Sequence, residues 1–255
     1  MTALDIAIVV PSRRRAHNMP LIRELLPTAV ICIEDEEARD YAGMVPESNI
    51  LLHPSLPNAA AVRNWMLEHV EQPILVMIDD DFCGVKVTTG SRRFITDPDE
   101  ILAIIENAAR CCNDLGLGAF CFSGTPNTTI IRPDERPIYP TQPVFRVFGV
   151  MGPARHRKWR VDLPGRADVD WTLRTLKLDR CVYADIRFFF DCGAVFSGRG
   201  GAVGQISPEQ FDNSSRELRR TWGRSLSFKA PAYVKKREVS SISIRVSRTN
   251  KTAQK

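Results

Sequence analysis

Residues 74–85 read ILVMIDDDFCGV, five apolar residues followed by three consecutive aspartates and a return to apolar residues. The apolar run is typical of a buried strand, and like charges at Asp79, Asp80 and Asp81 repel one another unless a cation compensates them. Nearby Arg or Lys side chains can do so, and so can a divalent metal ion. Mg²⁺ and Mn²⁺ prefer oxygen ligands, and Mg²⁺ typically takes one or two carboxylates while phosphate oxygens complete its shell. The triplet therefore predicts a metal and diphosphate site, or else a solvent-exposed turn, where Asp is common.

Short apolar runs alternate with helical patterns on the N-terminal side of the triplet. Strands are predicted at 5–10, 29–34, 49–54 and 73–78, and helices at 18–27, 35–43 and 58–72. This alternation predicts βαβ units and an α/β fold with a mostly parallel sheet. In such sheets the functional groups gather beyond the carboxyl ends of the strands, which is where the aspartates lie.

The second half of the chain mixes further helices and strands. Helices are predicted at 97–118, 167–180 and 207–222, and strands at 119–124, 127–133, 143–152 and 181–193. The segment GRGGAVG, residues 198–204, suits a flexible lid or a plain mobile loop. We expect residues 1–118 and 119–215 to be the two halves of one domain, followed by a basic helix and tail at 216–255.

Charge is distributed unevenly along the 255 residues. Residues 216–255 carry 12 Lys and Arg against two acids, whereas residues 1–215 carry 23 basic and 28 acidic residues. This asymmetry favours a polyanionic partner such as nucleic acid or a membrane surface, and the alternative is a solvated tail. The seven cysteines lack a C-x-x-C pair, which predicts free thiols in a reducing cytoplasm. No apolar run approaches the roughly 20 residues of a membrane span.

Four motifs together resemble a known family. They are IVVPSRRR at 8–15, AVRNW at 61–65, ILVMIDDDF at 74–82 and DVDW at 168–171. Their order resembles the GT-A nucleotide-sugar glycosyltransferases over roughly residues 5–200. The first three look most like the TET-associated glycosyltransferases of phages, which are thought to glycosylate hydroxymethylated bases in DNA. The resemblance implies a single GT-A domain, with a Rossmann-like mixed, mostly parallel sheet flanked by helices.

The resemblance also implies roles for the donor half of the site. Pro11, Ser12 and Arg13 would line the donor nucleotide, and Glu34 after the second strand would face its base or ribose. Arg63 matches the arginine that approaches the ribose or the diphosphate, where a positive charge is favourable. The alternative for Arg63 is an exposed helix arginine.

The aspartates divide into metal ligands and candidate bases. By the resemblance, Asp79 and Asp81 would hold Mn²⁺ or Mg²⁺, Asp79 would lie nearest the nucleoside of a donor such as a UDP-sugar, and Asp80 would assist either. An acidic residue at a helix start near the acceptor serves as general base in inverting members. Here that residue is Asp168 or Asp170, and the choice stays open. Helix capping is the alternative role for Asp168.

Members of this family often supply a third metal ligand, frequently histidine, late in the chain. The four histidines are at positions 17, 53, 69 and 156, so none follows DVDW. Asp191 is the substitute that the sequence offers.

Two basic segments suit a DNA acceptor. Residues 154–160 and 216–237 combine Arg and Lys with aromatic residues, a pattern that favours phosphate contacts and stacking on an unpaired base. Chemistry on a base within a duplex would require flipping it out. The alternatives are a glycan or small-molecule acceptor, and a non-catalytic nucleic-acid-binding protein. We expect a cytoplasmic enzyme, of a bacterial host if the chain is phage-encoded, and the sequence leaves its oligomeric state open.

Overall fold

A seven-stranded sheet runs through the computed structural model, which describes residues 4–89, 93–127, 144–193, 206–228, 232–234, 237–239 and 242–244. Its strands are β1 (Ile6–Pro11), β2 (Val30–Glu34), β3 (Ile50–His53), β4 (Ile74–Ile78), β7 (Ala119–Phe122), β8 (Val147–Val150) and β9 (Tyr183–Asp185). The strand order is β3-β2-β1-β4-β8-β7-β9. Strand β8 is antiparallel to both β4 and β7, and the other pairs are parallel.

Helices cover both faces of this sheet. They are α1 (Met19–Leu25), α2 (Ala38–Tyr41), α3 (Ala59–His69), α4 (Pro98–Asp114), α5 (Ala167–Asp179) and α6 (Pro208–Trp222). All five residues of β4 are buried, and alternate ones belong to different cores: Ile74, Val76 and Ile78 pack with α1 and α4. Leu75 and Met77 pack with α3 and α5. A strand buried on both faces reads as a continuous apolar run, which is why 74–78 has no polar residue.

Side-chain caps fix where the helices begin. The Asn58 side chain accepts hydrogen bonds from the amides of Ala60 and Ala61, and the Asp97 carboxylate accepts from Glu100 N at 2.9 Å. Ser207 and Gln210 form a reciprocal capping box at the start of α6. Such caps satisfy amides that the helix itself leaves without partners. The cap at Asn58 sets the start of the helix that carries Arg63.

A three-stranded antiparallel sheet continues from the acidic triplet. Its strands, in the order β10-β5-β6, are β5 (Gly84–Val87), β6 (Phe94–Ile95) and β10 (Phe188–Asp191). Neither β5 nor β6 is predicted by the sequence patterns, because both are short and lack a clear alternation. Short pairs β11–β14 (Leu226–Phe228 and Ile242–Ile244) and β12–β13 (Ala232–Val234 and Arg237–Val239) follow α6.

The predicted α/β class, with a mostly parallel sheet flanked by helices in one domain, is confirmed. Helix α6 runs without a break across the expected boundary at 215/216, and the division into halves and tail stays a prediction. Most of the expected strand 127–133 and the whole glycine-rich segment 198–204 lie outside the described residues. Within the described chain, no helix is long and apolar enough to cross a membrane.

Candidate functional site

A cleft of about 330 Å³ opens beyond the carboxyl ends of β1 and β4. Five stretches contribute to its walls: residues 11–15, 53–63, 79–81, 145–146 and 163–168. The ends of β1 and β4 and the first turns of α3 and α5 all contribute lining residues. Parallel strands bring their carboxyl ends to one edge of a sheet, so motifs far apart in sequence meet there.

The three aspartates of the triplet differ in their surroundings, and the Asp80 carboxylate is held by hydrogen bonds within the protein. Arg15 donates to this carboxylate at 2.6 Å and Ser12 donates at 2.7 Å. Tyr41 shares a hydrogen bond with Ser12 at 2.8 Å, and the Asn18 side chain donates to the Asp80 carbonyl at 3.0 Å. Asp80 is only 5% exposed. Asp80 lines the cleft with its neighbours, but its carboxylate is held by partners within the protein and anchors the loop.

Asp79 and Asp81 remain partly exposed on the cleft side of that anchor. Burial raises the pKa of Asp79 to about 7, Arg63 opposes this shift, and Asp81 adds to it. Burial also raises the pKa of Asp81, which Arg15 opposes from 3.2 Å. Raised carboxyl pKa values mean that the surrounding protein compensates the ionised forms incompletely. A cation at this position would be strongly favoured.

The ligand chemistry of this pair fits a hard divalent ion. Asp79 and Asp81 offer carboxylate oxygens, the ligand type of Mg²⁺ and Mn²⁺. No group of three His, Cys, Asp or Glu side chains suited to a metal is found within the described ranges. Asp191 pairs with Lys86 at 2.5 Å and is not part of the described cleft lining. Water or oxygens of a bound substrate would fill the remaining coordination positions of an ion here.

The end of β1 forms one side of the cleft. Pro11, Ser12 and Arg13 line it, and their role in binding a nucleotide stays a prediction. The Arg13 guanidinium lies 3.7 Å from the Glu34 carboxylate and 4.0 Å from that of Glu37. Glu34 is 6% exposed and lies behind Arg13, outside the described cleft lining. The geometry thus lets Glu34 orient Arg13.

Arg63 projects from α3 between two carboxylates. Its guanidinium lies over the rings of Phe148 and Trp159, at 5.5 and 5.9 Å from their centroids. Its charge lowers the pKa of both Asp79 and Asp168, partly offsetting burial. Aromatic faces support a guanidinium without occupying its N–H donors. Arg63 can therefore present those donors to an anion bound in the cleft.

Asp168 and Asp170 lie in very different surroundings. Asp168, the second residue of α5, lines the cleft and accepts a hydrogen bond from Val169 N at 3.0 Å. Burial raises its pKa, which suits a group that must gain a proton near neutrality. Asp170 is 1% exposed and accepts from Trp222 at 2.9 Å and Arg174 at 2.8 Å. The structure brings Asp168 to the cleft and uses Asp170 to fasten α6 to α5.

The basic side chains of segment 154–160 have partners within the fold. Arg157 pairs with Asp179, Lys158 with Glu68, Arg160 with Asp162 and Glu217, and Arg155 donates to the Val70 carbonyl. Trp159 is buried, stacks on Trp171 at 4.8 Å and is held through its backbone by the Asn64 side chain. Much of this segment's charge is therefore balanced internally. In segment 216–237, Arg220 pairs with Glu217, and side chains from 228 onward lie outside the described residues.

Three cleft arginines are not singled out by the sequence motifs. Arg15 belongs to the run 13–15, which does not reveal which member faces Asp80. Arg166 precedes α5, stacks on Phe211 at 4.0 Å, and has its pKa lowered to about 10 by burial. Arg146 precedes β8 and has a positive φ of 59°. A non-glycine residue with such a backbone is the kind of signal that only the structure supplies.

Comparison with known proteins identifies the family. The family model of the TET-associated glycosyltransferases matches residues 6–200. A search of curated protein sequences gives no match.

Solved structures of similar fold include glucosyl-3-phosphoglycerate synthase from Mycobacterium tuberculosis, in complex with Mg²⁺ and UDP. Its TM-score is 0.50 at 10% identity, covering 95% of this chain and 88% of that one. The mannosyltransferase PcManGT from Pyrobaculum calidifontis, in complex with GDP-Man and Mn²⁺, has a TM-score of 0.49 at 16% identity. That match covers 73% of this chain but 55% of the mannosyltransferase, so the chain spans about half of that protein's length.

Proposed function

The chain belongs to the TET-associated glycosyltransferases, and on that basis we propose that it transfers a sugar from a nucleotide-sugar donor to an acceptor hydroxyl. One observation carries this proposal. Asp79 and Asp81 line the cleft together with Arg63 and Arg146, whose charges act on Asp79, while the Asp80 carboxylate is neutralised by Arg15 and hydrogen-bonded by Ser12. Carboxylates and cationic donors side by side match a ligand that combines a divalent ion with phosphates.

We propose that Asp79 and Asp81 hold a divalent cation, Mn²⁺ or Mg²⁺. When bound, the ion would neutralise the donor's diphosphate and so favour departure of the nucleoside diphosphate. The solved glucosyl-3-phosphoglycerate synthase contains Mg²⁺ and UDP, the same classes of ligand. The nucleoside would lie along Pro11, Ser12 and Arg13, and a UDP-sugar is the donor that we expect.

The residues around the donor would have separate roles in the reaction. Asp168 is proposed as the general base that takes the proton of the acceptor hydroxyl while its oxygen attacks the sugar's anomeric carbon. The bond from that carbon to the diphosphate breaks, and the leaving oxygen keeps the electron pair. Arg63 would hydrogen-bond the phosphates, and it also keeps the pKa of Asp168 lower than burial alone would set it. Asp170 takes no part in this step.

An adjoining cavity offers room for the acceptor. It has a volume of about 470 Å³, lies against α6, and shares Asn58, Pro164 and Ile206 with the cleft. Its described lining contains neutral polar, apolar and acidic residues but neither Lys nor Arg. Phosphates are therefore disfavoured inside it, whereas an uncharged base or sugar suits it.

We propose that the acceptor is the hydroxyl of a hydroxymethylated DNA base, and that the reaction takes place in the cytoplasm, of a bacterial host if the chain is phage-encoded. The family's association with TET-type chemistry and the basic character of residues 216–237 support this acceptor. The internally paired charges of 154–160 leave the C-terminal segment as the stronger candidate for phosphate contacts.

Incubation with labelled UDP- and GDP-sugars, Mn²⁺, and plain or hydroxymethylated duplex DNA tests the proposal. We expect label on hydroxymethylated DNA alone, and a rate of labelling lowered by about 10²- to 10⁴-fold with Asp168→Asn. Asn213→Trp, which would fill the adjoining cavity, should abolish transfer but spare donor hydrolysis. Asp212→Trp, at the neighbouring exposed position, is its matched control. Transfer to a glycan or small molecule with none to DNA would refute the DNA acceptor, and failure to use any sugar nucleotide would refute the enzyme assignment.

A further inference from the structure

Arg146 is fixed beside the acidic triplet by its own backbone. It directly precedes β8, the antiparallel neighbour of β4, and its carbonyl accepts a hydrogen bond from Asp79 N at 3.1 Å. Its φ of 59° lies in the left-handed region, which is costly for a long side chain. Residues held in such conformations concentrate at functional sites. The strain here orients a side chain that no sequence motif singles out.

The Arg146 guanidinium is supported by aromatic rings. It lies 5.7 Å from the centroid of Phe145 and 5.9 Å from that of Phe189, and it lines the cleft. Among the described residues it has neither a hydrogen bond nor an ion pair, although its charge acts on both Asp79 and Asp81. An arginine has five N–H donors, and aromatic contacts occupy none of them. A half-buried guanidinium of this kind is prepared to bind an anion.

Two guanidinium groups therefore line the cleft with these carboxylates: the charge of Arg63 acts on Asp79, and that of Arg146 acts on both Asp79 and Asp81. A divalent ion would neutralise Asp79 and Asp81, which leaves the positive charges of Arg63 and Arg146 to meet a further anion. We propose that Arg146 hydrogen-bonds a non-bridging oxygen of the β-phosphate in the donor's diphosphate and holds the nucleoside diphosphate as it departs. This inference rests on the proposed function and adds the residue that recognises the leaving group.

The contact between the Arg146 guanidinium and the donor's diphosphate becomes stronger during the reaction. As the bond from the anomeric carbon to the diphosphate oxygen breaks, the electron pair stays with that oxygen, and the diphosphate gains one negative charge. The proton of the acceptor hydroxyl passes to Asp168, so charge is conserved. A hydrogen-bond donor directed at charge that develops in the transition state raises the reaction rate, in addition to strengthening binding. Loss of Arg146 should thus lower kcat as well as donor affinity.

The test compares nucleoside diphosphates with monophosphates. UDP and UMP, and in parallel GDP and GMP, are titrated calorimetrically in Mn²⁺ against wild type, Arg146→Gly and Arg146→Lys. Glycine adopts positive φ without strain, so Arg146→Gly should fold with an unchanged or raised thermal midpoint. We expect it to lose about 10- to 100-fold in diphosphate affinity, the range for one hydrogen bond to a charged group, while monophosphate affinity barely changes. Arg146→Lys should have a diphosphate affinity between those of wild type and Arg146→Gly.

Two controls separate the possible causes. Arg13→Ala, on the nucleoside side, should weaken mono- and diphosphate equally, and Arg224→Ala, on the exposed surface, should weaken neither. Equal loss of both ligands in Arg146→Gly, or no loss of either, would overturn the role of Arg146. Wild type that binds neither nucleotide with Mn²⁺ would overturn this inference together with the proposed function, so the two failures are distinguishable.

Discussion

Replacing Arg15 by Met should destabilise the fold strongly, although Arg15 lies at the rim of a cleft. Its guanidinium contacts Asp80 at 2.6 Å and Asp81 at 3.2 Å, and the side chains of Arg15 and Asp80 are 10% and 6% exposed. Met keeps the length of the aliphatic stem and removes the charge. Among the residues that the structure describes, the change leaves the buried Asp80 carboxylate with only the Ser12 hydroxyl as a side-chain donor.

The expected cost follows from two independent considerations. Removing one partner of a buried ion pair typically costs about 3–5 kcal/mol, because the other charge is left uncompensated. Two unit charges about 4 Å apart at an effective dielectric constant of about 20 attract each other by about 4 kcal/mol. We therefore expect Arg15→Met to lower the free energy of unfolding by about 3–5 kcal/mol, a large part of the roughly 5–15 kcal/mol of a typical domain.

Urea unfolding at pH 7 measures this loss in Arg15→Met, Asp80→Asn and the double variant. The double variant should be less destabilised than the two single losses added together, with a coupling of about 1–3 kcal/mol. Arg13→Met is the matched control, since its side chain is 33% exposed and its ion-pair distances are 3.7 and 4.0 Å, so it should cost no more than about 1 kcal/mol. Equal losses in Arg15→Met and Arg13→Met, or strict additivity in the cycle, would show that the Arg15–Asp80 pair does not stabilise the fold.

Three further predictions separate structural from chemical roles. Asp168→Asn should lower kcat by about 10²- to 10⁴-fold at nearly unchanged stability. Asp170→Asn should lower the free energy of unfolding in urea by about 1–3 kcal/mol, because a buried ion pair is lost, and should nearly retain kcat. The reverse pattern would exchange the roles of the two aspartates. Arg63→Gln should move the acidic limb of the pH profile of kcat/KM for the acceptor, at saturating donor and Mn²⁺, to higher pH. The base form of Asp168 is lost as pH falls through its raised pKa, and Arg63 is the charge that limits that rise; an unmoved limb would contradict this. Gly149→Ala should cost about 1–3 kcal/mol, since a Cβ there would lie 2.1 Å from the Phe120 ring, and an unchanged urea midpoint would contradict that packing.

The sequence was sufficient to predict the helices and strands that have a strong hydrophobic pattern or a clear capping signal at one end. The buried run 74–78 and its aspartates define β4 and the cleft, and Asp97-Pro98 marks the start of α4. Strand β8 could not be placed antiparallel between β4 and β7 from its composition, because pairing direction depends on the path of the chain. Strands β5 and β6 escaped prediction because each is too short to show a period.

Within the site, residue type was more predictable than residue role. The sequence indicates that three carboxylates need compensation, but Arg15 provides it only because the chain turns at Arg14, whose φ is 53°. Asp168 and Asp170 are two positions apart on one helix, and their different surroundings depend on α6, which lies about 40 residues later in the chain. The basic segment 154–160 resembles a free cationic surface until its partners on other elements are known.

The proposed function depends above all on the binding of a divalent ion by Asp79 and Asp81, together with the donor's diphosphate. Calorimetric titration of UDP- and GDP-sugars with and without Mn²⁺, on wild type, Asp81→Asn and Asp80→Asn, tests it directly. We predict that one of these donors binds wild type only with Mn²⁺, and that Asp81→Asn loses about 10- to 100-fold in affinity while folded Asp80→Asn largely retains it. Binding that needs no metal, or that is as strong in Asp81→Asn as in wild type, would rule out this metal site.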